Sequence, residues 1–238
     1  MKTNTPSLLI RRSEERGHAR HGWLDSYHTF SFADYYDPGH MGFRSLRVIN
    51  QDTVSAGAGF PTHPHRDMEI FSYVLSGVLA HKDSMGNGRE LKPGQIQLMS
   101  AGSGVSHSEF NPSKSDPLHF LQIWIKPEST GLQPNYTEWH PGKDTEDAAK
   151  VLVISPDGRE NSATIRQDAD VYRLRVKAGE SVSHELREGR GLWIQLIKGT
   201  LASGGDKLLA GDAASSETAG NIAFTAVEDA EALLFDLA

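Results

Sequence analysis

His63 and His65 form an H-x-H pair in the run GAGFPTHPHRDMEIFSYVLSG, and His107 and Glu109 form an H-x-E pair in AGSGVSHSEFN. Successive side chains of a strand point to opposite faces and rise about 3.3 Å per residue, so residues i and i+2 share a face. Both imidazoles of the first pair can then reach one ion at about 2.1 Å. Two neighbouring strands, each offering such an inward pair, supply His63, His65, His107 and Glu109 together. This nitrogen and oxygen set suits iron, manganese, nickel or copper, with positions open for substrate and oxygen. Cysteine is absent, which excludes disulfides, Cys-ligated zinc, iron–sulfur clusters and a thiol nucleophile.

Other chemistry is weakly signalled. No phosphate-binding loop of the G-x-x-x-x-G-K-[ST] type occurs. Ser106 and Ser108 flank His107 without a partner set for serine hydrolysis. His28, His40, His81 and His140 lie in or beside turn-like sequence, where surface or hydrogen-bonding roles are expected. His119 opens the strand LHFLQIWI and reads as structural. His18 and His21, near Trp23, Phe30 and Phe32, read as part of a segment packed over a barrel.

The elements that must position the pairs are strands. Apolar-alternating runs recur at 95–99, 118–125, 151–154, 171–176, 192–197 and 232–237, bounded by turn residues. This pattern predicts an all-β sandwich or barrel. A helix is expected only over 144–150, with Asp144 or Thr145 as its cap. The chain also repeats itself: IFSYVLSGVLA at 70–80 aligns with LWIQLIKGTLA at 192–202, and LKPGQIQL with LLAGDAAS. Two copies of one small β domain follow, rather than a solenoid. The expected division is a barrel at 1–130, a linker at 131–144 and a second barrel at 145–238. His184 takes the place of the first pair in the second copy, but Leu186 follows it and no H-x-E appears there. The second barrel is therefore expected to hold no metal.

The chain's 238 residues suit one large domain or two small ones. Its net charge of −7 argues against a nucleic-acid partner. No run approaches the ~18 apolar residues of a transmembrane helix, and Leu8–Ile10 is too short for a signal-peptide core. The sequence reads as that of a cytoplasmic protein.

Gly57, His63, His65, Glu69 and Gly77 follow closely the first motif of the cupin barrels, and Gly94, Gly102, His107 and Asn111 resemble the second. Gly77 falls one residue late, Ser100 stands where proline is usual, and His107 comes two residues late. These departures are shared with the pirin family, and the chain resembles its bacterial quercetin 2,3-dioxygenase branch. The segments ERGHARHGWLDSYHTFSFADYYDP, MGFRSLRVIN, FPTHPHRDMEIFSYVLSG, HKDSMGN, MSAGSGVSHSEFNPS and LQIWIKP carry the resemblance over 15–127. VLVISPDGR, LWIQLIKG and LLFDL continue it more loosely.

The resemblance implies an all-β bicupin of two jelly-roll domains in tandem, with one divalent metal in the first. Its ligands fall on His63, His65, His107 and Glu109. Fe(II) is implied first, with manganese, nickel, cobalt and copper open. Glu69 is then an acceptor that orients an imidazole, or a satisfied polar residue. The implied activity is flavonol ring opening: Glu109 takes the 3-hydroxyl proton, molecular oxygen adds to C2 and C4, and carbon monoxide leaves. The implied partners are a flavonol and oxygen, with no nucleic acid and no membrane. The alternative is a non-enzymatic, iron-binding, redox-sensing regulator of the pirin type. A further rival, a cupin decarboxylase or sugar isomerase, calls for cationic residues at the pocket, and only Arg66 lies near the ligands.

Overall fold

Short runs of alternating apolar residues, cut by glycine and proline, form strands along the whole chain. The computed structural model describes residues 6–238. Its first half contains β1 (Leu9–Arg11), β2 (Gly17–Arg20), β3 (Leu24–His28), β4 (Leu46–Val54), β5 (Gly59–His65), β6 (Glu69–Ser76), β7 (Leu79–Asp83), β8 (Gly88–Leu91), β9 (Ile96–Ser100), β10 (Val105–Phe110), β11 (Leu118–Ile125) and β12 (Asn135–Trp139). The second contains β13 (Lys150–Ser155), β14 (Ala163–Thr164), β15 (Ala169–Val176), β16 (Ser181–Leu186), β17 (Gly191–Ser203), β18 (Asp206–Leu209), β19 (Ala213–Ser216) and β20 (Gly220–Leu237). Among the described residues no helix is long and apolar enough to cross a membrane.

The helix expected over 144–150 does not form. Thr145 turns its hydroxyl back to accept from the Gly142 N–H at 2.8 Å, and the Thr145 and Glu146 N–H groups donate to the Gly142 carbonyl. The local hydrogen bonds close a turn, and Lys150 already begins β13.

The chain divides into two compact units. One holds Gly17–Pro141 with Pro156–Gln167; the other holds Gly142–Ser155, Asp168–Ala238 and the described residues up to Arg16. The first unit has two sheets, ordered β12-β9-β6-β11-β4-β3-β2 and β5-β10-β7-β8. Their apolar faces meet in a core where Val54, Val74, Leu118 and Phe120 of the larger sheet pack with Leu79 and Leu91 of the smaller. The segment 131–144 contains β12, which pairs antiparallel with β9.

The other unit runs β1-β19-β17-β20-β15-β13, with β16 on β20 and β18 on β17. Its core gathers Leu192, Ile194, Leu196, Phe224 and Leu234, and Leu8 and Ile10 pack against it. The chain's first strand thus belongs to the second-half sheet, because those two side chains find their apolar cover there. The repeat is visible in the backbone as well. Gly77 and Gly199 occupy equivalent positions with φ of 81° and 79°, and Gly94 and Gly211 with 82° and 90°.

Candidate metal centre and its cavity

β5 and β10 are antiparallel neighbours, and His63 faces His107 directly across them. His65 lies two residues along β5, on the same face. An irregularity in the ladder between His107 and Glu109 brings Glu109 opposite Phe60. The ligand nitrogens of His63, His65 and His107 lie within 4.8 Å of one another, with ring centroids 4.5–4.9 Å apart.

These nitrogens are prepared for a cation. The His63 Nδ1 donates to the Pro61 carbonyl at 2.7 Å, which turns Nε2 towards the other two imidazoles as the nitrogen able to bind metal. That Nε2 lies 3.1 Å from His107 Nε2. Two ligands about 2.1 Å from one ion and at right angles around it stand ~3.0 Å apart. His65 Nε2 is buried and has no hydrogen-bond partner among the described residues. Burial, then repulsion from His107 and His63, holds the His65 imidazolium form down to a pKa of about 4, although Glu109 opposes this. Burial, followed by His63 and His81, lowers that of His107 to about 3. Neutral imidazoles are the form that binds metal, so the residues fit a divalent ion.

Glu109 is buried and stands slightly apart. Its Oε2 accepts from Gln122 Nε2 at 2.6 Å, and its Oε1 from Gln97 Nε2 at 3.1 Å. The Ser72 hydroxyl lies 2.8 Å from Oε1 and 2.9 Å from Gln122 Oε1. Glu109 shares a potential ligand cluster with His107 and His81, while His63 and His65 share theirs with His107. Glu69 is not in either cluster. Its Oε2 accepts from the Ser100 hydroxyl at 2.7 Å and the Arg166 N–H at 3.2 Å, which makes it a satisfied polar residue that orients no imidazole.

Sequence reasoning missed a row of polar residues, of which Gln122, Ser72 and Gln97 hold Glu109. Across β3, β4, β11, β6 and β9, the cross-strand neighbours are His28, Asn50, Gln122, Ser72 and Gln97 in turn. The available signal was a buried-type polar residue inside an apolar run, such as Ser72 in IFSYV and Gln122 in FLQIWI. His81, expected near a turn, is fully buried in β7 and pairs with Asp83 at 3.1 Å. His28 is buried too. His119 is structural, as expected, and meets Gln51 at 3.0 Å.

The centre opens on a cavity of about 360 Å³ whose apolar wall includes Leu24, Phe32, Phe60 and Trp124. Trp124 packs edge-on against both His65 and Phe32. Ser26, His28, Asn50 and Asp52 line the same cavity, and among the described residues no lysine or arginine does. Arg66 borders a separate surface groove with Pro64 and Ser84. The lining thus lacks the cationic side chains that the decarboxylase or isomerase rival calls for.

Facing β-sheets in a repeated fold, with an inward His-x-His strand beside an inward His-x-Glu strand, define a cupin-type protein. The Pirin family model matches residues 10–125, and a model described as the quercetinase C-terminal cupin domain matches 152–237. The chain belongs to the pirin family. It is 47% identical over 230 residues to a quercetin 2,3-dioxygenase of Escherichia coli K12, covering 97% of this chain and 98% of that one. The crystal structure of YhhW from Escherichia coli superposes with a TM-score of 0.94 at 47% identity, covering 98% of each chain. The same bacterial pirin in complex with nickel(II) gives a TM-score of 0.92 at 47% identity, covering 97% of this chain and 99% of that one.

Proposed function

We propose that this protein is a metal-dependent dioxygenase that opens the heterocyclic ring of flavonols such as quercetin and releases carbon monoxide. The observation that carries the reading is the trio of clustered imidazoles beside a buried carboxylate, facing an aromatic cavity that among the described residues has no lysine or arginine in its lining. The quercetin 2,3-dioxygenase relative supports the same substrate class. His63, His65, His107 and Glu109 hold one divalent ion per chain, within the unit that contains Gly17–Pro141. Fe(II) is the first choice, and manganese, nickel, cobalt and copper share the same ligand preferences; the Escherichia coli pirin takes nickel(II). The reading is of a cytoplasmic enzyme whose partners are a flavonol and molecular oxygen.

A bound divalent ion supplies Lewis acidity to the oxygen of the 3-hydroxyl. Glu109 accepts that hydroxyl's proton, and Gln97 and Gln122 hold its carboxylate in place through the bonds described above. Phe32, Phe60 and Trp124 enclose the flat ring system and exclude water from it. In the overall reaction both atoms of molecular oxygen enter the product, bonded to C2 and C4, and C3 leaves as carbon monoxide.

Glu109→Gln tests the assignment. Glutamine keeps the size and an oxygen but cannot take the proton, and losing a general base costs about 10²–10⁴-fold in rate. At matched metal occupancy, carbon monoxide release from quercetin is expected to fall at least ~100-fold at neutral pH. The loss should shrink as pH rises and the flavonolate arrives already ionised. Near-wild-type turnover at neutral pH would remove Glu109 as the base. Wild-type protein that releases no carbon monoxide with any of the candidate metals restored would remove the dioxygenase reading itself.

A further inference from the structure

His28 and Asn50 are direct cross-strand neighbours on β3 and β4. Both are more than nine-tenths buried, and both line the cavity. Among the described residues, His28 Nδ1 and Asn50 Oδ1 have no hydrogen-bond partner. Leaving a buried polar atom unpaired is destabilising, and here two such atoms sit side by side on one wall.

Their neighbours fix what they can take. The Ser26 hydroxyl donates to Asp52, so Ser26 Oγ accepts from His28 Nε2 at 2.9 Å. The His28 proton is then on Nε2, and Nδ1 carries a lone pair. Asn50 Oδ1 is likewise an acceptor, so the pair requires a donor. When Asp52 is protonated, the chain through Ser26 can run the other way and make Nδ1–H a donor beside the Asn50 acceptor. A hydroxyl, which both donates and accepts, satisfies either polarity. An anionic group does not suit the site, since the Glu109 carboxyl lines the same cavity and among the described residues no lysine or arginine does. The flat apolar walls at Phe32, Phe60 and Trp124 call for an aromatic carrier.

We propose that His28 Nδ1 and Asn50 Oδ1 form a second polar subsite, which receives a phenolic hydroxyl of the ligand other than the one directed at His63, His65, His107 and Glu109. This rests on the cavity being a flavonol site, and it makes the preferred ligand a polyphenol rather than any flavonol. Asn50→Leu keeps the branching and the number of heavy atoms, adds bulk only at the groups that line the cavity, and removes the acceptor without leaving a charge.

The test is equilibrium binding of quercetin and of 3-hydroxyflavone to the metal-loaded protein without oxygen, followed by quenching of tryptophan fluorescence. Both probes carry the 3-hydroxyl, and only quercetin carries hydroxyls on its other rings. Wild type is expected to bind quercetin about tenfold or more tightly than 3-hydroxyflavone. Asn50→Leu and His28→Phe should each erase most of that preference while binding 3-hydroxyflavone as wild type does. Asn50→Leu should also raise the melting temperature of the free protein, because its unpaired acceptor is gone; a residue with a purely structural role would lower it. If either variant fails to fold, the other reads the same subsite. A preference unchanged in the folded variants, or absent from wild type, overturns the proposal. Hydroxyl-dependent binding that the variants erase, without any carbon monoxide on admitting oxygen, leaves the subsite standing and removes the dioxygenase reading.

Discussion

Burial holds the Asp52 carboxyl up at about 7, against an ordinary 3.8, with the Ser26 hydrogen bond opposing the shift and the Glu109 charge adding to it. The raised value has a consequence for stability. The native state keeps a proton on Asp52 at pH values where the unfolded chain has released it. Asp52 therefore contributes stability that is fully present below about pH 4 and is lost as pH rises towards about 7. The substitution Asp52→Asn keeps an oxygen for Ser26 without a charge to bury. The variant is expected to gain on wild type as pH rises from about 4 to 7, levelling off above that, by on the order of a few kcal/mol. His65 and His107, whose lowered values cost stability on acidification, are present in both proteins and cancel in the difference. Urea unfolding of the metal-free proteins between pH 4 and 8 measures it. Parallel stability curves would show that Asp52 is ionised throughout.

Strands set these side chains, and tight turns set the strands. Gly77 follows β6 with φ at 81°, and a Cβ there would lie 2.7 Å from the Pro117 carbonyl oxygen. Gly57 has a similar φ of 70° but open space around its missing Cβ. Alanine at either position carries the left-handed backbone cost of about 1–2 kcal/mol. Gly77→Ala must also move the Pro117 backbone, so its urea midpoint is expected to fall well below that of Gly57→Ala. Equal losses would mean that the turn yields freely. Much of this level was legible in the sequence. His63, His65, His107 and Glu109 announce themselves by i, i+2 spacing, and the glycine frame marks the turns. Ser72, Gln97 and Gln122 were not legible, because each is a polar residue inside an apolar run and becomes a support only when strands distant in sequence come into register. His81 and His28 take hydrogen-bonding roles, one of the two roles expected of them, but their burial was not legible for the same reason: a turn-like neighbourhood says nothing about the sheet that covers it.

At the scale of the whole molecule, one fold occurs twice and its two copies have diverged in chemistry. In the second copy His184 is buried at the position matching the first pair, yet both of its nitrogens are engaged by the protein. Its Nε2 meets Asp236 Oδ2 at 2.8 Å, and the Lys150 ammonium lies 2.9 Å from Nδ1. The ammonium has only protons to give, so Nδ1 accepts and Nε2–H donates to Asp236. Asp236 is also held by Arg190, which, with His184, keeps its carboxyl below the ordinary range despite burial. A metal ion at His184 would have to displace a cation the chain already supplies, and no second ligand pair stands beside it in the sequence. Metal analysis of untagged protein is therefore expected to give one tightly held ion per chain, in wild type and in His184→Ala alike, whereas His63→Ala and His107→Ala should lose it while keeping native-like circular dichroism. The first unit has its own apolar core of Val54, Val74, Leu79, Leu91, Leu118 and Phe120, so its folding need not wait for metal as a zinc finger's does. Two ions per wild-type chain, with one lost on His184→Ala, would place a working centre in each copy and overturn the division of labour between them.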